Sequence, residues 1–133
     1  MNTIKIENLH IPGTASTPEV DFWFDTHRLS LKGESYPENA AAFYGKIIAG
    51  TRSYLAGLTG NEVIEAHVAL AYFNSSSTKM LFSLFDALNQ SAENGIHVEL
   101  HWYHDREDDT IKEFGQELHI DFPALDFHDH ALD

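Results

Sequence analysis

Hydrophobic positions along this chain switch between two periods, and the switches mark its elements. Ala40, Phe43, Tyr44, Ile47, Ile48, Thr51, Tyr54, Leu55 and Leu58 follow the i, i+3, i+4, i+7 spacing of one helical face. The pattern predicts a helix that ends around Gly57 to Gly60. Glu62 to Phe73 then reads as a strand. From Ala66 to Phe73 only His67 interrupts the apolar run, which predicts a central strand covered on both faces. Leu81, Leu84, Phe85, Leu88 and Ala92 return to helical spacing, and the turn "ENG" (Glu93 to Gly95) closes that helix. Ile96, Val98, Leu100 and Trp102 alternate with His97, Glu99, His101 and Tyr103, the period of a strand with one buried and one polar face. In "DREDDTIKEFGQELHI" (Asp105 to Ile120), Ile111, Phe114 and Leu118 face inward as a third helix. Its acidic first turn sits where the helix dipole favours negative charge.

The remaining segments carry weaker patterns. Asn2 to Thr17 includes Pro12 and Gly13, with Pro18 following, and reads as an extended, partly ordered lead-in. Strands are expected near Val20–Phe24 and Arg28–Lys32, and a last short one from Phe122 to Phe127. "GESYPEN" (Gly33 to Asn39) reads as a turn that hands over to the first helix. The order strand-strand-helix-strand-helix-strand-helix-strand predicts an α/β sandwich in one domain, residues 1–133. Its central sheet of about five strands is mainly parallel, entered by an N-terminal antiparallel hairpin and accompanied by about three helices.

Charge narrows the choice of partner. Eight Lys plus Arg against 21 Asp plus Glu give a formal net charge of −13. Nucleic-acid affinity rests largely on cationic side chains displacing counterions, so such a field excludes DNA, RNA and anionic membrane as direct partners. No apolar run approaches the roughly 20 residues that span a bilayer. "MNTIKIENLHIPG" lacks a basic segment followed by an apolar core, so it does not read as a secretory signal. The chain has no cysteine, hence no disulfide framework and no thiolate ligand or nucleophile. These features together favour a reducing cytoplasm.

The chemistry concentrates where the second helix begins. "FNSSSTK" (Phe73 to Lys79) leaves an apolar strand through an asparagine and three serines. Asn74 or Ser75 suits the N-cap, whose side-chain oxygen accepts an N–H that the helix cannot satisfy internally. Three hydroxyls exceed what a cap requires. A phosphate carried there would meet free N–H groups and the positive end of the dipole, with Lys79 about one turn away.

Three strings, "LHIPGTASTPEV" (Leu9 to Val20), "RLSLKGESYPEN" (Arg28 to Asn39) and "YFNSSS" (Tyr72 to Ser77), together resemble the SiaC family of bacterial regulatory phosphoproteins. The likeness continues through "HWYHD" (His101 to Asp105) and spans nearly the whole chain. It implies a STAS-like fold, similar to the anti-sigma-factor antagonists, and a partner switch without catalysis or cofactor. In the family, a dedicated serine/threonine kinase phosphorylates the hydroxyl residue directly after the junction asparagine, and a PP2C-type phosphatase resets it. The unphosphorylated form binds a GGDEF diguanylate cyclase and stimulates cyclic-di-GMP synthesis, favouring aggregation and biofilm. Carried onto this chain, the phosphoacceptor is Ser75, at a place where a relative has threonine. Ser76 and Ser77 are secondary candidates. Asn74 and Lys79 would support or cap the site, and Ser35, Tyr36, Pro37, Glu38 and Asn39 would shape the partner surface beside it.

Other constellations compete. Nine histidines invite a metal, and His97, Glu99 and His101 share one strand face with His104 close by. Residues two apart on a strand lie about 7 Å from one another, so they do not converge without help, and no metal site is expected. "HDH" (His128 to His130) lies near the end of the chain and is expected to be mobile. A Ser-His-Asp hydrolase lacks its G-x-S-x-G elbow. The alternatives to a cyclase-directed switch are an anti-sigma-factor antagonist and, behind it, a small metal-dependent enzyme.

Overall fold

A computed structural model of the protein describes residues 6–133; residues 2–5 of the lead-in lie outside them. The chain runs β1 (Leu9–Ile11), β2 (Glu19–Trp23), β3 (Arg28–Ser35), α1 (Ala40–Ala56), β4 (Val63–Phe73), α2 (Ser75–Glu93), β5 (His97–Asp105), α3 (Asp109–Asp121) and β6 (Asp126–Leu132). All six strands join one sheet in chain order, β1-β2-β3-β4-β5-β6. The first two pairings are antiparallel and the last three parallel.

Each parallel step returns through a helix, and right-handed crossovers taken in one direction place all three helices on the same face. Val20, Phe22, Leu29, Leu31, Ile64, Ala66, Val68, Leu70, Val98, Leu100 and Trp102 form the core on that face with Tyr44, Ile47, Leu81, Phe85, Leu88 and Leu118. Alternate strand positions, among them Glu65, His67, Glu99, His101 and Tyr103, face the uncovered side. The sheet is therefore a two-layer structure with a polar open face.

Several expectations change. The lead-in contributes a sixth strand, β1, whose three residues are too few to show a period. The last strand lies at Asp126–Leu132 rather than Phe122–Phe127, because Phe122 caps α3 and is buried. His128 to His130 accordingly belong to this paired edge strand instead of a mobile tail. Finally, β4 is central but covered on one face only: Ala69 and Ala71 lengthen the apolar run while facing outward, and so small a side chain costs little there.

Asparagine or aspartate starts each helix. Asn39, Asn74 and Asp108 accept the N–H groups of Ala42, Ser77 and Ile111 respectively. "GESYPEN" is thus strand as far as Ser35 and turn only from Tyr36 to Asn39. The β3–β4 register slips by one residue between Gly33 and Glu34, and Gly33 has φ 124°, a conformation that side chains disfavour.

Candidate functional site

Parallel pairing of β3 with β4 brings two strand-to-helix junctions side by side. Glu34 lies opposite Tyr72 and Ser35 opposite Phe73. One residue further, the Asn74 N–H donates to the Ser35 carbonyl at 3.0 Å. The same carbonyl accepts the Ser77 hydroxyl at 3.1 Å, and the Ser35 and Ser77 hydroxyl oxygens are 2.8 Å apart. From α1, the Tyr44 hydroxyl reaches Ser35 Oγ at 2.5 Å. Burial raises the pKa of Tyr44, with the Ser35 and Ser77 hydroxyls pulling it partly back, so the phenol stays neutral within the chain of hydroxyls. The Tyr36 N–H donates to the carbonyl of Ser16 at 2.8 Å, which ties in the end of the lead-in. Three strings far apart in sequence meet in this clasp.

Above the clasp the α2 start faces solvent. Asn74 Oδ1 accepts the Ser77 N–H at 2.9 Å, and the Asn74 carbonyl accepts the Thr78 N–H at 2.9 Å. Asn74, not Ser75, is therefore the N-cap. Ser75 and Ser76 occupy the first two helical positions, whose N–H groups precede the intrahelical ladder. Both serines are exposed, as is Lys79 in the next turn. Tyr36 and Tyr72, 41% and 50% exposed, meet edge to face with ring centroids 5.9 Å apart. These two rings form an exposed aromatic pair, and Ser75 follows Tyr72 by three residues along the chain.

The expected site residues divide on burial. Asn74, Ser75, Ser76 and Lys79 lie together at the start of α2. Ser77 is 0% exposed and its hydroxyl is engaged, which removes it as a secondary modification site. Ser35, likewise 0% exposed, offers no surface to a partner, contrary to the expectation for it. Tyr36 and Glu38 do face solvent, Pro37 is half-buried, and Asn39 is exposed while capping α1. Sequence reasoning missed Tyr44, which reads there as one more residue of the apolar stripe, and Tyr72, absorbed into the run of β4.

The histidines also gather in a way that the spacing along one strand does not reveal. His67 of β4, His101 of β5 and His128 of β6 are register neighbours on the open face. Their rings stack nearly parallel, with centroids 4.6 Å apart at each step. Help for convergence comes from adjacent strands, 4.8 Å away, rather than from residues two apart on the same one.

The α/β fold, with exposed hydroxyls at a capped helix start, is that of a regulatory phosphoprotein. The model of the SiaC family regulatory phosphoproteins matches residues 11–132, and the chain belongs to that family. An uncharacterized protein of Pseudomonas aeruginosa is 36% identical over 127 residues, covering 93% of this chain and 99% of the relative. The crystal structure of apo-SiaC from Pseudomonas aeruginosa superposes with a TM-score of 0.85 at 34% identity, covering 94% of this chain and 99% of that one. A second structure, of the diguanylate cyclase SiaD in complex with its activator SiaC from the same species, also matches at a TM-score of 0.85. There the identity is 35%, over 93% of this chain and 99% of the matched one. Among the described residues no helix is long and apolar enough to cross a membrane.

Proposed function

We propose that this chain is a non-enzymatic partner switch whose phosphoacceptor is Ser75. In the unphosphorylated form it binds and stimulates a GGDEF diguanylate cyclase. A serine/threonine kinase phosphorylates Ser75 and releases the cyclase, and a PP2C-type phosphatase restores the first state. The observation that carries this reading is the placement of Ser75: exposed at the first helical position, directly after the capping Asn74. The relative crystallised as a cyclase activator supports the choice of partner.

Magnitudes favour a local mechanism. A phosphate adds about −1.5 to −2 charge near neutral pH. Against a net charge of −13, that changes the overall field little. Three phosphate oxygens sharing that charge, however, replace a hydroxyl-sized contact with a charged and bulky one, which an interface fitted to the hydroxyl rejects. The free N–H groups of Ser75 and Ser76 and the helix dipole stabilise the phosphate on the chain itself.

The test is phosphopeptide mapping of protein isolated from its native host, followed by calorimetry against the cyclase. Phosphate is expected on Ser75, and the phosphorylated, folded protein is expected to bind more weakly than the unmodified form. Equal affinity of the two forms would end the switch reading. Tight binding to an anti-sigma factor, with none to the cyclase, would replace the partner.

A further inference from the structure

On the open face, β3 to β6 present two parallel rows at right angles to the strands. One row, in register, is Arg28, Glu65, Glu99 and Asp126; the next is Ser30, His67, His101 and His128. Each imidazole turns Nε2 toward the carboxylate two residues before it. The distances are 3.1 Å from His67 to Glu65, 2.8 Å from His101 to Glu99, and 3.2 Å from His128 to Asp126. Three carboxylates side by side on neighbouring strands repel one another. The one permanent cation in the row, Arg28, stands at its end, 3.6 Å from Glu65. Glu99, in the middle, is paired among the described residues with histidines and with no permanent cation: His101, and His97 at 3.6 Å.

We propose that this face binds one divalent transition-metal ion of the zinc type, held by Glu99, His101 and His128. A donor atom from each of these residues lies within 4.8 Å of the other two. His128 Nε2 is shielded from solvent and makes no hydrogen bond among the described residues, since its contact with Asp126 lies outside hydrogen-bonding geometry. A buried polar nitrogen without a partner is costly, and a metal ion satisfies it. His101 is oriented as ligands are: Nδ1 lies 2.9 Å from His130 Nε2, so donating its N–H there leaves Nε2 free to bind the ion.

Two imidazoles and one carboxylate suit zinc, with water in the fourth position, whereas magnesium and calcium prefer oxygen donors. Binding sets the donors about 3.4 Å from one another, the edge of a tetrahedron with bonds of about 2.1 Å, so His101 and Glu99 part slightly from 2.8 Å while side-chain rotation adjusts the rest. Because the ligands come from β5 and β6, the ion pins the edge strand to the sheet. The expectation of no metal site rested on one strand considered alone.

The experiment is calorimetric titration of zinc into tag-free, chelator-washed protein, with magnesium as the control ion. One zinc per chain and no magnesium uptake are expected, together with a higher melting temperature in zinc. His101→Gln and His128→Gln should each weaken binding by more than about tenfold, the least that loss of even an outer-shell partner costs. His10→Gln, on the far edge strand, should leave it unchanged. The proposal is overturned if the wild type takes up no zinc. It is equally overturned if the His101→Gln/His128→Gln double variant, folded by circular dichroism, binds as tightly as wild type. Loss of binding in His67→Gln but not in His128→Gln would overturn the ligand assignment.

Discussion

Ser35 and Ser77, forty-two residues apart, share a hydroxyl contact of 2.8 Å with neither side chain exposed to solvent. The contact locks the end of β3 to the first turn of α2, so the exposed serines above it stand on a rigid base. Ser77→Ala removes one hydroxyl from the buried chain and leaves Ser35 and Tyr44 short of a partner. A loss of about 1–3 kcal/mol of stability is expected. Urea unfolding monitored by circular dichroism measures it, and a variant as stable as wild type would contradict the clasp.

The capping assignment separates two adjacent residues. Asn74→Ala should cost about 0.5–2 kcal/mol, because the Ser77 N–H loses its acceptor. Ser75→Ala, one position on, should lie within about 0.5 kcal/mol of wild type, since the exposed Ser75 is not the cap. Equal losses in the two variants, in the same denaturation experiment, would reverse the assignment.

In binding the order should invert. Ser75→Ala is expected to keep affinity for the cyclase, and Ser75→Asp to weaken it without unfolding the chain. Aspartate has one charge and lacks the phosphate's three oxygens, so its effect should be smaller than that of enzymatic phosphorylation. Calorimetry of the three forms against one cyclase sample gives the ranking. An Asp form that binds as tightly as the Ala form, while the phosphorylated form does not bind, would confine the effect to the phosphate's bulk and full charge.

Gly115 of α3 packs directly on Trp102. A Cβ built on Gly115 would stand 2.4 Å from Trp102 Cδ1 and 2.7 Å from its Nε1. That nitrogen donates to the Ile111 carbonyl at 2.9 Å, so the indole cannot turn away without leaving a buried group unpaired. Gly115→Ala should therefore destabilise by about 1–3 kcal/mol despite the better helix propensity of alanine. A melting temperature at or above that of wild type would show that α3 shifts freely.

Acid should expose the contribution of Glu62. Its carboxylate accepts the N–H groups of Thr59 and Gly60 and the Thr59 hydroxyl. The Thr59 N–H, above all, lowers its pKa to about 2. A depressed folded-state pKa means that the stabilisation is fully present above the unfolded value of about 4.3 and fades as pH falls toward 2. The stability gap between wild type and Glu62→Ala should thus be constant from pH 7 to about 5 and narrow at pH 3. A gap unchanged at pH 3 would rule out the carboxylate.

Elements with many turns or alternations were legible along the chain. The stripe from Ala40 to Leu58 and the alternation from Ile96 to Tyr103 each repeat often enough that no other structure hides so many apolar groups. Leu9–Ile11 and Asp126–Leu132 are edge strands, short or largely polar, and hydrogen bonding to a neighbour decides them rather than any local pattern. The site was half legible for a related reason. The cap motif announces Asn74 and Ser75, because a helix start is a local event. Burial of Ser35 and Ser77 depends on two junctions meeting, which local spacing does not encode. The histidine row is the extreme case, since its neighbours are 34 and 27 residues apart and only the parallel register aligns them.

Strand order that copies chain order also sets a sequence of assembly. Every seam of this sheet joins consecutive strands, so each can zip as soon as the next strand emerges, and no seam waits for a distant segment. The residues of the clasp around Ser35 and Ser77 all precede β5, α3 and β6 in the chain. The seam between β5 and β6 uses the last strand, and it alone brings His128 beside His101. The histidine row therefore depends on the β5–β6 seam, whereas the clasp around Ser35 and Ser77 depends on the β3–β4 seam, so loss of β6 would break the row and leave the residues of the clasp in place.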